Sequence, residues 1–139
     1  MIDKAAFAKH LEWAEDRRSY PYEDSTGHIT IGVGRNLSTV GLSDDEIDLL
    51  LENDIARALH GAETLPYWDQ LDPVRQLVVA DMIFNLGLPR FEGFVRANRA
   101  LRLGDYDEAA DEMLDSRWAR QVGRRANKLA KAMRSGEWE

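Results

Sequence analysis

The sequence predicts an α+β fold, mostly helical, with a small antiparallel sheet near its N-terminus. Three observations predict it. Ile29, Ile31 and Val33 alternate along a short stretch that follows a glycine turn. Helical periodicity with capping residues dominates from Ser43 onward. No repeat, low-complexity tract or linker separates the two regions. The length agrees, because 139 residues at 44% hydrophobic content suit one domain with a real core.

Taken in order, residues 3 to about 14 read as a helix, with Phe7, Leu11 and Ala14 on one face and Asp3 as its cap. From Ser19 to about Val40 the pattern changes. Tyr20-Pro21-Tyr22 is extended because proline restricts the residue before it, and Ser25-Thr26-Gly27 is a turn. The alternation that follows sets Thr30 on the opposite face from Ile29, Ile31 and Val33, in a hairpin or three-stranded sheet. Ser43 to Glu46 is an S-x-x-E capping box. It opens a helix with Ile47, Leu50, Leu51, Ile55, Ala58 and Leu59 as its apolar stripe, ending at Gly61. Asp72-Pro73 starts the next helix, whose Leu77–Leu86 run is apolar nearly all round and so predicts the centre of the core; Gly87 ends it. Phe91 to Leu103, Tyr106 to about Leu114 with Asp105 as cap, and Arg124 to about Arg134 complete the helices, and Trp118 lies in a Ser-Arg-Trp segment before the last of them.

Composition narrows the function classes. At 31% charged residues the chain is a soluble globular type rather than a disordered one. No apolar run approaches the roughly 20 residues that span a bilayer, so no membrane insertion is expected. The N-terminal stretch carries Asp3 and lacks the apolar region of a signal peptide, which predicts a cytoplasmic product. Cysteine is absent, excluding disulfides and thiol chemistry. His10, His28 and His60 lack ligand spacing, so neither a metal nor a cofactor is expected. Net charge is −7, unevenly spread. Ser116 to Arg134 holds seven basic residues and no acidic one, against 11 basic and 25 acidic in the remainder. Such polarity can steer an anionic polymer, although a solvated helix face accounts for most of it. Interleaved aromatics beyond Trp118 are missing, which argues against nucleic acid as a partner.

The chemistry is concentrated between Glu15 and Arg35. Glu15 ends the first helix, Asp24 follows nine residues later before the glycine turn, and Thr30 lies on the strand, giving E-x8-D-x5-T. Two carboxylates on different elements with a hydroxyl nearby are the minimum equipment for acid/base cleavage of an acetal. The negative end of a helix dipole disfavours an ionised carboxylate, the tuning a general acid at Glu15 needs.

These residues carry a resemblance. Glu15 through Gly34, E-x8-D-x5-T-I-G-x-G, resembles the signature of the lysozyme (muramidase, endolysin) family of T-even-like phages. Asn85 with Gly87, Gly93-Phe94, Ser116-Arg117-Trp118 and Arg125-Ala126 extend the likeness across nearly the whole chain. The resemblance implies a single lysozyme-like domain over 1–139, with an N-terminal lobe of about 15–60 bearing the sheet and a helical C-terminal lobe of about 61–139 plus the N-terminal helix. It implies hydrolysis of the β-1,4 bond between N-acetylmuramic acid and N-acetylglucosamine in peptidoglycan, with inversion. Glu15 would be the general acid, Asp24 would orient or activate water, and Thr30 would help hold that water. Arg125 would pair with Glu15 to position it, while Phe84 and Asn85 would line the sugar cleft. A monomer is implied, acting in host lysis and reaching the wall from the cytoplasm through a separate holin. The alternative on the same scaffold is a non-catalytic wall-binding or phage structural module.

Other duties are open to the same residues. Glu12 rivals Glu15 from one turn earlier, Asp24 suits a turn, Thr30 suits a strand and Asn85 suits a helix end. Trp118 and Tyr22 read first as packing residues. Relatives often carry glycine where this chain has Asp16, and where it has Arg35 a histidine paired with an aspartate on the next helix; the resemblance therefore implies a permanently charged pair of Arg35 with Asp54. The region between the sheet and the Ser43 helix is also shorter than is typical of the family.

Overall fold

The computed structural model describes residues 1–138. Among these residues eight α-helices, one 3-10 turn and a three-stranded antiparallel sheet form the α+β architecture, mostly helical, that the periodicity predicts. None of the helices is long and apolar enough to cross a membrane. The chain divides into two compact units, Met1–Leu49 and Leu50–Glu139.

The first unit holds helix α1 (Lys4–Glu15), strands β1 (Arg18–Glu23), β2 (Ile29–Gly32) and β3 (Arg35–Asn36), and the opening of helix α2 (Asp44–Ala62). Asp3 caps α1, its carboxylate accepting from the amides of Ala5 and Ala6. The sheet runs in the order β1-β2-β3. Tyr22 lies opposite Thr30, Thr30 opposite Asn36, and an irregularity interrupts β1 between Arg18 and Tyr22. Pro21, which has no N–H to give to a ladder, falls inside that irregularity. The alternation is present: Thr30 is buried, whereas Ile29 is exposed and Ile31 half-buried.

The predicted capping box opens α2. Ser43 N–H donates to the Glu46 carboxylate at 2.9 Å and Glu46 N–H to the Ser43 hydroxyl at 3.2 Å. Of the apolar stripe along this helix only Ala58 is buried; Ile47, Leu50, Leu51, Ile55 and Leu59 stay substantially exposed.

The second unit carries the core. Helix α3 (Pro73–Leu86) begins at the Asp72 cap with proline in its first turn, ends at Gly87, and buries Val78, Val79, Met82 and Ile83. A helix read as continuous from Phe91 to Leu103 is in fact two, α4 (Leu88–Glu92) and α5 (Val95–Leu103). The break falls at Gly93-Phe94, where the Gly93 amide turns back to the carbonyls of Pro89 and Arg90. The buried Asn98 side chain secures this corner, donating to the carbonyls of Phe91 and Phe94 while accepting from the Tyr67 hydroxyl. Helices α6 (Tyr106–Leu114), α7 (Arg117–Val122) and α8 (Arg124–Ser135) complete the unit and add Met113, Trp118, Leu129 and Met133 to the core. Arg75 ties α3 to the end of α8, giving hydrogen bonds to the carbonyls of Met133 and Arg134 and stacking 3.9 Å from the Tyr106 ring centroid. A cation at a helix C-terminus also favours the helix dipole.

Candidate active site

Within Met1–Leu49, α1 and the sheet bring the E-x8-D-x5-T residues onto adjoining elements. Glu15 is the last residue of α1. Its side chain lies over Gly34, between β2 and β3, where an added Cβ would meet the Glu15 Cδ at 2.9 Å. Gly34 also has φ +68°, a conformation glycine adopts without strain. The second glycine of T-I-G-x-G therefore makes room for the carboxyl group that the signature begins with. After Glu15 the chain leaves the helix through Asp16 at φ 64° and ψ 170°, a region otherwise almost reserved for glycine. Those values account for the glycine that relatives often carry there.

Asp24 sits at the mouth of the β1–β2 turn. Its Oδ1 accepts three hydrogen bonds, from the Thr26 amide at 2.8 Å, the Thr26 hydroxyl at 2.7 Å and the His28 amide at 2.9 Å. The His28 amide first, then the Thr26 hydroxyl, hold the Asp24 carboxyl below the usual carboxylate range. It stays ionised, which suits it to accept a proton from water or to face positive charge, not to donate a proton. Thr30 is buried on β2, and its hydroxyl donates to the His28 carbonyl at 3.2 Å. That carbonyl also accepts from the Asp24 amide at 2.9 Å. Asp24 and Thr30 thus share one acceptor, and with its own proton committed there the Thr30 hydroxyl keeps lone pairs for a water.

Within Leu50–Glu139 the remaining named residues gather near the end of α3. Phe84 keeps its ring substantially exposed and borders two depressions of about 540 and 370 Å³. Asn85 Oδ1 accepts from the Trp118 indole at 2.9 Å, and Trp118 is otherwise buried edge-on against Phe94. The Trp118 bond makes the indole a positioning group for Asn85 and leaves the Asn85 amide nitrogen to donate elsewhere. Arg125, at the start of α8, takes Asp81 of α3 as its partner, through Nε at 2.9 Å and Nη2 at 2.8 Å. Both contacts converge on Asp81 Oδ1, and two donors of one guanidinium on a single oxygen restrict how the group can turn.

Several contributors were not singled out from the sequence. Thr26 reads only as a turn residue and His28 only as a histidine without ligand spacing, and their bonds to Asp24 come from the tight Asx-type turn that Asp24 itself initiates. Asp81 was hidden in an apolar run, yet it stands one helical turn before Phe84 and Asn85. The expected pair of Arg35 with Asp54 is corrected: Arg35 binds Glu46 at 2.6 Å and the Gly41 carbonyl at 3.2 Å, while Asp54 pairs with Arg57. Glu46 already lies at the start of α2, and Asp54 is eight residues, about 12 Å, further along the helix. The basic segment is also less free than its charge suggests, since Arg134 binds the Asp111 carboxylate and the Asp107 carbonyl and Lys128 stacks on Trp138.

Comparison with known proteins agrees with this arrangement of elements. The chain is 24% identical to the probable T4-type lysozyme 1 of Dictyostelium discoideum, covering 91% of this chain and 92% of that protein. It is 25% identical to the probable T4-type lysozyme 2 of the same organism, with the same coverage. It is 24% identical to the pre-baseplate central spike protein Gp5 of Enterobacteria phage T4, over 96% of this chain but 28% of the spike protein. Residues 12–136 match the phage lysozyme family model, and the chain belongs to that family.

Proposed function

We propose that this protein is a peptidoglycan muramidase that hydrolyses the β-1,4 bond between N-acetylmuramic acid and N-acetylglucosamine, with inversion. Glu15 protonates the departing glycosidic oxygen as the bond breaks. A water held by Thr30 and Asp24 attacks the opposite face of the oxocarbenium-like centre, and Asp24 accepts its proton. An inverting pair requires the two carboxyl groups roughly 6.5–9.5 Å apart, leaving room for that water. Arg125, oriented by Asp81, positions the Glu15 carboxyl. Phe84 and Asn85 line the sugar cleft, Asn85 with its oxygen already committed to Trp118. The protein acts as a monomer without a cofactor, in lysis of a host cell from whose cytoplasm a separate holin releases it.

The observation that carries this reading is the division of labour between the two carboxylates. Asp24 is hydrogen-bonded into its ionised state by one oxygen, while Glu15 ends a helix and packs over a glycine. The deciding experiment follows the clearing of purified peptidoglycan by wild type and Glu15→Gln. Loss of about 10²–10⁴-fold in rate is the share that general acid catalysis supplies. Clearing by both proteins, or by neither, overturns the assignment. Nuclear magnetic resonance of the first-formed product tests inversion separately, since a retained anomer would make Asp24 a nucleophile. Likeness to a phage spike protein supports one rival, a structural or wall-binding module. That rival predicts binding to peptidoglycan with no clearing at all.

A further inference from the structure

We propose that His28 is a positioning residue for Asp24 and works through the Thr26 hydroxyl, a role that rests on the muramidase reading above. The Thr26 Oγ1 lies 2.7 Å from Asp24 Oδ1 and 2.7 Å from His28 Nδ1. A threonine hydroxyl has one proton to give. An ionised carboxylate can only accept, so that proton goes to Asp24. The contact with the imidazole must then be filled from the other side, by an N–H on Nδ1 donating to the threonine oxygen. The result is a directed relay from His28 Nδ1–H to Thr26 Oγ1–H to Asp24 Oδ1.

The relay matters because of which oxygen it reaches. Oδ1 also takes the amides of Thr26 and His28, so three donors fix one side of the carboxylate. Oδ2 stands 3.8 Å from His28 Nδ1, beyond hydrogen-bonding distance. Anchoring Oδ1 in this way leaves Oδ2 as the working oxygen. With the opposite tautomer, Nδ1 would carry a lone pair and compete with Asp24 for the hydroxyl proton. Oδ1 would then lose its side-chain donor and the carboxylate would be freer to rotate. Donors linked in series also polarise one another, which strengthens the bond to the charged end. The main chain of His28 strengthens the link, since its carbonyl holds both the Asp24 amide and the Thr30 hydroxyl. A single residue therefore touches both members of the water-holding pair, and its ring reaches one of them through Thr26.

Two measurements on the intact protein test this. The first is the imidazole ¹⁵N spectrum of His28 through a titration of the wild type. A neutral ring protonated on Nδ1 is expected; a neutral ring protonated on Nε2 overturns the proposal, and the result does not depend on activity. The second is a set of kcat and KM values on peptidoglycan fragments for Thr26→Val, His28→Phe, the double variant and Thr26→Ser. Each single loss should lower kcat about tenfold, the order supplied by one hydrogen bond to a charged group, with KM within about twofold. The double variant should be no worse than Thr26→Val alone, because both changes cut one relay, and Thr26→Ser should restore the rate. Losses that multiply to about a hundredfold, or that fall on KM alone, overturn it. Glu15→Gln is measured alongside: if that variant clears peptidoglycan as fast as wild type, the muramidase reading fails, while the tautomer result stands independently of it.

Discussion

The two units are built by different means. In Met1–Leu49, among the described residues, Thr30 alone is buried, and it is polar. In Leu50–Glu139 lies every apolar side chain of the core, with Val78, Val79, Met82, Met113, Leu129 and Met133 almost fully withdrawn from water. The second unit draws on hydrophobic burial, at about 1.5–3 kcal/mol for each large side chain. The first is specified by directed bonds: the Asp3 cap, the three donors on Asp24, the Ser43–Glu46 box and a glycine beneath Glu15. The chemistry proposed near the sheet needs groups held at fixed angles and open to a ligand, which hydrogen bonds supply and burial does not. A unit built in that way is also expected to open locally more readily than the core.

The largest effects that can test this contrast come from the core. Leu129→Ala should cost about 2–5 kcal/mol in chemical denaturation, because the closely packed surroundings cannot collapse into the space left. Ile29→Ala, at a residue 39% exposed on β2, should cost about 0.5 kcal/mol or less. Equal losses would mean that the sheet is held by apolar packing after all, and the contrast would fail.

A smaller effect sharpens it from the other side, since the second unit also holds a buried polar joint at Asn98. Asn98→Leu would leave the Tyr67 hydroxyl without its acceptor in a buried corner and strip the side-chain donor from the carbonyls of Phe91 and Phe94, which keep only the amides of Phe94 and Asn98. The expected cost is about 1–3 kcal/mol despite the added apolar surface. Burial also pushes the Tyr67 phenol well above its ordinary value, so the hydroxyl remains a donor at any physiological pH. Tyr67→Phe combined with Asn98→Leu should recover part of the loss, and a double variant worse than the sum would exclude the bond as its cause.

This contrast explains what was legible in the sequence. Helix ends were legible because caps are local: Asp3, Ser43 with Glu46, Asp72 with Pro73, and Asp105 each act on amides two or three residues away. The placement of Glu15, Asp24 and Thr30 on a helix end, a turn and a strand was legible from local signals, since each is set by residues close by in the chain. The break at Gly93 was not, because Tyr67, 31 residues from Asn98, helps secure that corner. Arg35 was assigned the wrong partner for a related reason. Charge type predicts that an arginine pairs, but the geometry of the α2 capping box decides that Glu46 receives it.

Asp16 offers a gain instead of a loss. Its φ of 64° with ψ of 170° costs a non-glycine residue on the order of 1–3 kcal/mol. Asp16→Gly relieves that cost but gives the unfolded chain more freedom, worth up to about 1 kcal/mol in the other direction. A net gain of about 1 kcal/mol is expected, read as slower hydrogen exchange at the end of α1 and in β1. No gain would show that Asp16 meets its strain through some compensating bond beyond its 3.9 Å approach to Arg18.

The smallest expected effect is the one most specific to the hydrogen-bonded unit. The Arg35 guanidinium first, then the Ser43 amide, hold the Glu46 carboxyl down at about 2, against an ordinary value of 4.5. A carboxylate with a depressed folded value binds fewer protons folded than unfolded. Its stabilising contribution is therefore complete above about pH 4.5 and disappears as pH falls from there towards 2. Both side chains are more than a third exposed, so solvent and salt screen the pair and the effect is modest. Hydrogen-exchange protection in the first turn of α2 should decline between pH 5 and 3, after correction for intrinsic rates, and should decline more at low ionic strength, where the unscreened pair has more stabilisation to lose. Glu46→Gln separates charge from geometry, because its amide oxygen can still accept from Ser43 while losing the ionic bond. That variant should start with lower protection and stay flat across the same window. If the variant and the wild type fell in parallel, the acid sensitivity would belong to another carboxylate of the unit. Asp24, held down by its own three donors, is then the residue to examine through Asp24→Asn.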